Sequence, residues 1–304
     1  MVSKGMERVI KMFFQQGEIA TKKRVEENRA NFDQLEAMIP IPNDVKIEEI
    51  DINGVPAAWI STPEVEDDFV VLYLHGGGYV MGSIKSHKEF GSRISRVSNS
   101  RVLLLDYRRA PENPYPAALE DAVAAYKWLI DSEGIYPENI IIGGESAGGG
   151  LTLATLLYLR DTRMTLPAAA IILSPWADLL MSGESIRTKA KVDPLANVSD
   201  LFFLSSLYVG ENDPKNPYIS PLYADLKGMP PMLIQVGSAE ILLSDATRIA
   251  EKAKAAGVDV ILDIWEDMIH MFQMFAVWGP EGQEATEKLG EFIKKNLKKE
   301  VHMI

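Results

Sequence analysis

Ile140-Ile141-Ile142-Gly143-Gly144-Glu145-Ser146-Ala147-Gly148-Gly149-Gly150-Leu151 is the stretch that decides the fold. Three β-branched residues lead into Gly144-x-Ser146-x-Gly148, and helix-compatible residues 151–160 follow. A strand that turns straight into a helix reverses so tightly at Ser146 that side chains at 144 and 148 would clash. The hydroxyl then stands above the sheet at a helix N-terminus, where the dipole and the Ala147 N–H favour developing negative charge. Such a turn can also serve packing alone or cradle a phosphate. No Lys-Ser or Lys-Thr follows the glycines, which disfavours a Walker-type loop.

Short apolar runs at 69–74, 102–105, 140–142, 169–173, 232–236 and 258–265 read as strands covered on both faces. Helical segments separate most of them, at 85–97, 116–130, 147–160, 244–256 and 284–297. Ile47, Ile50 and Ile52, then residues 55–60, predict two further strands around the turn Asn53-Gly54. The alternation implies an α/β class with a mainly parallel sheet and right-handed crossovers. Residues 5–38 predict amphipathic helices, with Val9, Phe13 and Phe14 near helical spacing, stopped by Pro40 and Pro42. Between 177 and 221 no strand is evident, and a helix is expected near 197–209. An insertion this long reads as a lid or cap, packed with the N-terminal helices over one end of the sheet. The expected organisation is a cap part at 1–42, core at 43–180, a cap insertion at 181–215 and core again at 216–304.

A second string, Leu72-Tyr73-Leu74-His75-Gly76-Gly77-Gly78-Tyr79-Val80-Met81-Gly82-Ser83, closes a strand. A run of glycines strips side chains from the backbone, so its N–H groups can approach an oxyanion closely.

With these motifs the sequence resembles the hormone-sensitive-lipase-like (bacterial group IV) carboxylesterases of the α/β-hydrolase fold. The resemblance rests on His75-Gly76-Gly77-Gly78, on residues 106–117 (Asp-Tyr-Arg-Arg-Ala-Pro-Glu-Asn-Pro-Tyr-Pro-Ala) and on Glu145-Ser146-Ala147-Gly148-Gly149. Ser174-Pro175-Trp176-Ala177-Asp178-Leu179 and Ser220-Pro221-Leu222 add to it. It implies an eight-stranded, mostly parallel sheet flanked by helices, with a helical cap. It also implies a Ser–acid–His triad in that chain order, and oxyanion donors at Gly76, Gly77 and Ala147. His75 is expected to hold the loop in shape rather than move protons.

Four histidines are present, His75, His87, His270 and His302. The chain order requires one after Ser146. His302 is third from the C-terminal end, where fraying is common. His270 follows the last β-rich run, in the family's His-x-Phe pattern, and is the expected base. For the acid, Asp193-Pro194-Leu195 tempts, but it lies inside the cap with no strand before it. The loop after strand 232–236 carries Glu240, with Asp245 as competitor at the start of the next helix, where Ser244 can cap. The family most often has Asp where Glu240 stands, and also where Glu145 precedes the serine; Glu145 is expected to accept hydrogen bonds beneath the site. Glu240 can orient and stabilise an imidazolium as Asp does.

The family favours esters of short to medium acyl chains. Phe202, Phe203, Leu204, Leu207 and Tyr208 in the cap are candidates for a substrate pocket, most of them also serving to pack the cap. An amidase or thioesterase on the same machinery, or a ligand receptor that has lost a triad member, stays open.

The composition bounds the rest. The chain has 304 residues and a net charge of −12, a poor match for nucleic acid or an anionic membrane surface. It contains no cysteine, so thiolate nucleophiles, disulfides and Cys-zinc sites drop out. No dense His/Asp cluster suggests a metal, and no cofactor is expected. No apolar signal core or membrane anchor is legible, so a cytoplasmic protein acting on a small-molecule ester is expected. Residues 258–264, with Asp259 and Asp263 among apolar neighbours, are compatible with an exposed edge strand and a homodimer.

Overall fold

The computed structural model describes residues 2–13, 22–36 and 39–297; Phe14 and His302 lie outside them. Eight strands form one sheet: β1 (Lys46–Ile52), β2 (Val55–Ser61), β3 (Glu66–Leu74), β4 (Ser100–Leu105), β5 (Ile140–Glu145), β6 (Ala169–Leu173), β7 (Met232–Gly237) and β8 (Val260–Trp265). Their spatial order is β1-β2-β4-β3-β5-β6-β7-β8. β1 and β2 form the hairpin expected around Asn53-Gly54, both at positive φ. β2 also pairs antiparallel with β4, and every other neighbouring pair is parallel.

The helices around the sheet are α1 (Lys4–Phe13), α2 (Lys22–Glu36), α3 (Ile84–Ser98), α4 (Ala117–Asp131), α5 (Ala147–Asp161), α6 (Ser185–Thr188), α7 (Val198–Val209), α8 (Leu243–Ala255) and α9 (Pro280–Asn296). The continuous apolar strands are explained by burial on both faces. In β3, Val70, Leu72 and Leu74 join the core beneath α4, α5 and α8, while Val71 and Tyr73 join a second core beneath α3 and α9. β4, β5 and β6 divide in the same alternating way. Each large apolar side chain buried like this stabilises the fold by roughly 1.5–3 kcal/mol.

Two segments lie outside this layering. Met6 and Val9 of α1 pack against Met268, Ile269, Phe272 and Phe275, the loop region after β8. The segment after β6 carries α6 and α7, matching the helix expected near 197–209. Among the described residues, no helix is long and apolar enough to cross a membrane.

Candidate active site

β5 ends at Glu145 and α5 begins at Ala147, leaving Ser146 between them at φ 55° and ψ −119°. A positive φ is strained for a residue with a side chain and persists only where the surroundings hold it. Here the Ser146 N–H donates to the Leu173 carbonyl at 2.9 Å, and the Ser146 carbonyl accepts from Trp176 (2.9 Å) and Gly150 (3.1 Å). A Cβ at Gly144 would stand 2.3 Å from the Leu74 carbonyl oxygen, and one at Gly148 only 1.9 Å away. The elbow therefore tolerates only glycine on either side of the serine.

The loop after β8 brings His270 to it. His270 Nε2 lies 3.0 Å from Ser146 Oγ, and Nδ1 lies 2.5 Å from Glu240 Oε2. Glu240 sits just past β7, fully buried, and its Oε1 accepts from the Gly237 N–H (2.6 Å) and the Ser174 hydroxyl (2.9 Å). A carboxylate on Nδ1 selects the tautomer that leaves Nε2 to accept the serine proton. Burial alone would lower the His270 pKa. The hydrogen bond and charge of Glu240, with Asp193 and Glu145 behind it, outweigh burial and raise it above 6.5.

Asp245, the competing acid, points elsewhere. Its carboxylate accepts the N–H groups of Ala177 and Asp178, each at 2.9 Å, and pairs with Arg248. Burial, and next the charge of Asp178, push its pKa up to about 7.

The oxyanion loop departs from the sequence expectation at one residue. The Gly76 N–H is donated to Glu145 Oε1 and so does not face the serine. The cause is the buried Glu145 carboxylate, which must gather donors to be tolerated there. Besides Gly76 it takes the Tyr73 hydroxyl at 2.5 Å and faces His87 Nε2 at 2.8 Å. Burial would raise the Glu145 pKa, but the His87 charge and these hydrogen bonds hold it below the usual range. Gly77 and Gly78, both at positive φ, line the cavity beside Ser146. Among the described residues their N–H groups and that of Ala147 meet no protein acceptor. Available donors are therefore Gly77, Gly78 and Ala147, not the set with Gly76. His75 holds the loop from behind: it stacks on Tyr107 with ring centroids 4.2 Å apart, and its Nδ1 lies 2.8 Å from the Gly76 carbonyl.

Ser146 and His270 open onto a cavity of about 120 Å³ with mainly apolar walls. The walls include Phe32 from α2, Trp176, Leu195, and Leu201 and Leu204 from α7. Of the five cap residues expected to form a pocket, Leu204 lines it and the other four do not. Phe202 is 56% exposed, Phe203 and Leu207 are half-buried against the core, and Tyr208 is buried with its ring stacked 3.7 Å from that of Tyr79. α7 is apolar almost all round, so its sequence does not show which stripe faces the site. Helical spacing puts Leu201 and Leu204 on one face and turns Phe202 and Phe203 away.

Phe32 reaches the cavity because α2 is pinned one turn before it, at Arg29, and at the next residue, Asp33. Arg29 donates to the carbonyls of Val80 (2.7 Å) and Ala110 (2.8 Å) and pairs with Glu112. The Arg29 hydrogen bond drags the Glu112 pKa down to about 2. Asp33 accepts the hydroxyl of Ser83, the N-cap of α3, at 2.6 Å.

A family model described as the alpha/beta hydrolase fold matches residues 71–274. The chain is 45% identical, over 98% of its length, to an esterase from the bacterial hormone-sensitive lipase family, and covers 100% of that chain at a TM-score of 0.94. It belongs to that family of α/β hydrolases. It is also 41% identical to an acetyl-hydrolase of Streptomyces hygroscopicus, over 83% of each chain. The structure of EstE5 soaked with p-nitrophenyl butyrate superposes with a TM-score of 0.92 at 40% identity, covering 97% of this chain and 99% of that one. The matched range spans the elbow, the glycine loop and the histidine loop. Family membership leaves the acyl preference to the chain's own cavity.

Proposed function

We propose that this hydrolase is a serine carboxylesterase for short-chain esters, working through a Ser146–His270–Glu240 triad and an acyl-enzyme. The observation that carries this is the unbroken hydrogen-bond chain from Ser146 through His270 to Glu240, opening on a small apolar cavity. Neutral His270 takes the Ser146 proton as Oγ attacks the ester carbonyl, and the N–H groups of Gly77, Gly78 and Ala147 receive the oxyanion. Imidazolium then protonates the leaving alcohol. Water, deprotonated by the same histidine, attacks the acyl-enzyme, and collapse of the second tetrahedral intermediate releases the acid and restores Ser146.

The cavity, at about 120 Å³, is well below the range of roughly 300–1,000 Å³ that holds drug-sized ligands. It suits a short acyl group. With p-nitrophenyl esters, kcat/KM should therefore be highest for acetate to butyrate and lower by about 10-fold or more for decanoate. Leu204 is 4% exposed and forms one wall. Leu204→Ala should shift the preference to longer chains, and should cost about 2–5 kcal/mol of stability in denaturant unfolding. A series with equal kcat/KM from acetate to decanoate would remove the short-chain reading. Matched amides and thioesters in the same series test the leaving-group preference.

Activity depends on His270 being neutral. Because its pKa is raised, kcat/KM should fall as pH drops through a value above 6.5. A pH–rate profile flat down to pH ~5 would exclude His270 as the base. The edge strand β8 presents Ile261 and Ile264 about half exposed, which supports a homodimer through that edge; sedimentation velocity tests it. The expected location remains cytoplasmic.

A further inference from the structure

Asp193 is a buried carboxylate that the reaction above does not use. It comes from the segment between α6 and α7 and is 5% exposed. One oxygen, Oδ1, accepts the N–H groups of Leu195 (2.9 Å) and Ala196 (3.1 Å), both of which line the cavity. The other, Oδ2, accepts the N–H of Ile241 at 2.9 Å, the residue next to Glu240. The Ile241 carbonyl is held from α6 of the same insertion, accepting the Ser185 hydroxyl at 2.6 Å. The main chain beside Glu240 is thus gripped on both sides by the insertion that also walls the cavity.

We infer that Asp193 is a positioning residue: it ties the cavity wall at 195–196 to the loop carrying Glu240, so the seat of Glu240 against His270 depends on the insertion. The inference rests on the reading of Glu240 and His270 as triad members. Three features carry it. A carboxylate buried without a cationic partner in contact survives only if its oxygens are satisfied, and all three of its N–H donors belong to these two loops. The segment reaches the acid loop through main-chain groups, so the contact sets backbone position rather than one rotamer. The charged or titratable groups facing Asp193 are Glu240 and His270, and those facing His270 are Glu240, Asp193 and Glu145. Asp193 therefore adds negative charge behind the imidazole as well as geometry. Burial raises the Asp193 pKa, the His270 charge opposes this, and Glu240 adds to the rise.

The test compares Asp193→Asn and Ser185→Ala with the unaltered enzyme. Acetate and butyrate p-nitrophenyl esters are followed across pH, with active sites counted by fluorophosphonate labelling and Tm recorded. Asp193→Asn should lower kcat per active site on the order of 10-fold with little change in KM, within what a ~1 Å displacement costs. Its acid limb should move to lower pH by about half a unit, because one of the charges favouring imidazolium is gone. Ser185→Ala keeps the charge, so kcat should fall with the acid limb unmoved. A merely structural role would lower Tm and leave both kcat per active site and the acid limb at their original values; that result overturns the inference. If Asp193→Asn does not fold, unchanged kcat in Ser185→Ala overturns the coupling and a lowered one supports it. Full activity in Glu240→Ala would instead remove the triad reading beneath it. An inactive Glu240→Ala beside an unchanged Asp193→Asn removes this inference alone.

Discussion

Ser146→Ala should retain about one part in 10⁶ of the kcat for p-nitrophenyl butyrate, because the triad acts as a unit and its nucleophile is gone. The residual rate would come from the oxyanion donors and the cavity, which orient the ester for attack by water. The substitution removes one oxygen from a site with 7% exposure and leaves the main-chain bonds to Leu173, Trp176 and Gly150 in place. The fold should therefore be kept, with stability changing by no more than the roughly 0.5–1.5 kcal/mol of the lost hydrogen bond to His270, read by denaturant unfolding. Fluorophosphonate labelling should vanish in parallel. Turnover near that of the unaltered enzyme would sink the serine mechanism and, with it, every role assigned around Ser146.

Glu240→Ala carries the second-largest effect, a loss of about 10⁴-fold in kcat. Without the carboxylate, His270 has no partner to select the tautomer or to stabilise the imidazolium. Its pKa should also drop, since Glu240 is the main influence lifting it. The variant leaves the Gly237 N–H and the Ser174 hydroxyl without their acceptor in a fully buried place. That costs about 1–3 kcal/mol for each unsatisfied group. Glu240→Gln keeps the volume and separates this stability loss from the catalytic one. Asp245→Asn is the control. Its carboxylate braces Ala177, Asp178 and Arg248 and does not reach His270. It should keep kcat within a few-fold while Tm moves. The opposite pattern, an active Glu240→Ala and an inactive Asp245→Asn, would transfer the acid role.

Much of the site was legible because its chemistry is local in the chain. Gly144-x-Ser146-x-Gly148 encodes a turn within five residues, and the Cβ clashes at 144 and 148 arise from that turn and the adjoining strand. His270 was reachable from chain order, and Glu240 from its place after β7. The misplaced residues have another character. Gly76 and Gly77 are the same residue type in one glycine run, and only the partner across space distinguishes them. Glu145 takes the Gly76 N–H from 69 positions away, and the free donors shift one residue along. The clue in the sequence was Glu145 itself, since a buried carboxylate beside the serine has to find donors. Four of the five pocket candidates lie away from the cavity for a related reason. α7 offers apolar residues on nearly every face, and its rotation is set by packing against Tyr79 and the core.

Sequence alone determined the α/β class, the parallel core and the elbow, and it singled out Ser146 and His270 as the proposed nucleophile and base, because strand patterning and tight-turn sterics act over a few neighbouring residues. Tertiary structure alone decided which glycines face the serine, which α7 stripe walls the cavity, and that Asp193 rests against the acid loop. These are contacts between segments far apart in the chain, chosen by burial and by the need of each buried polar group for a partner, and no local pattern records them.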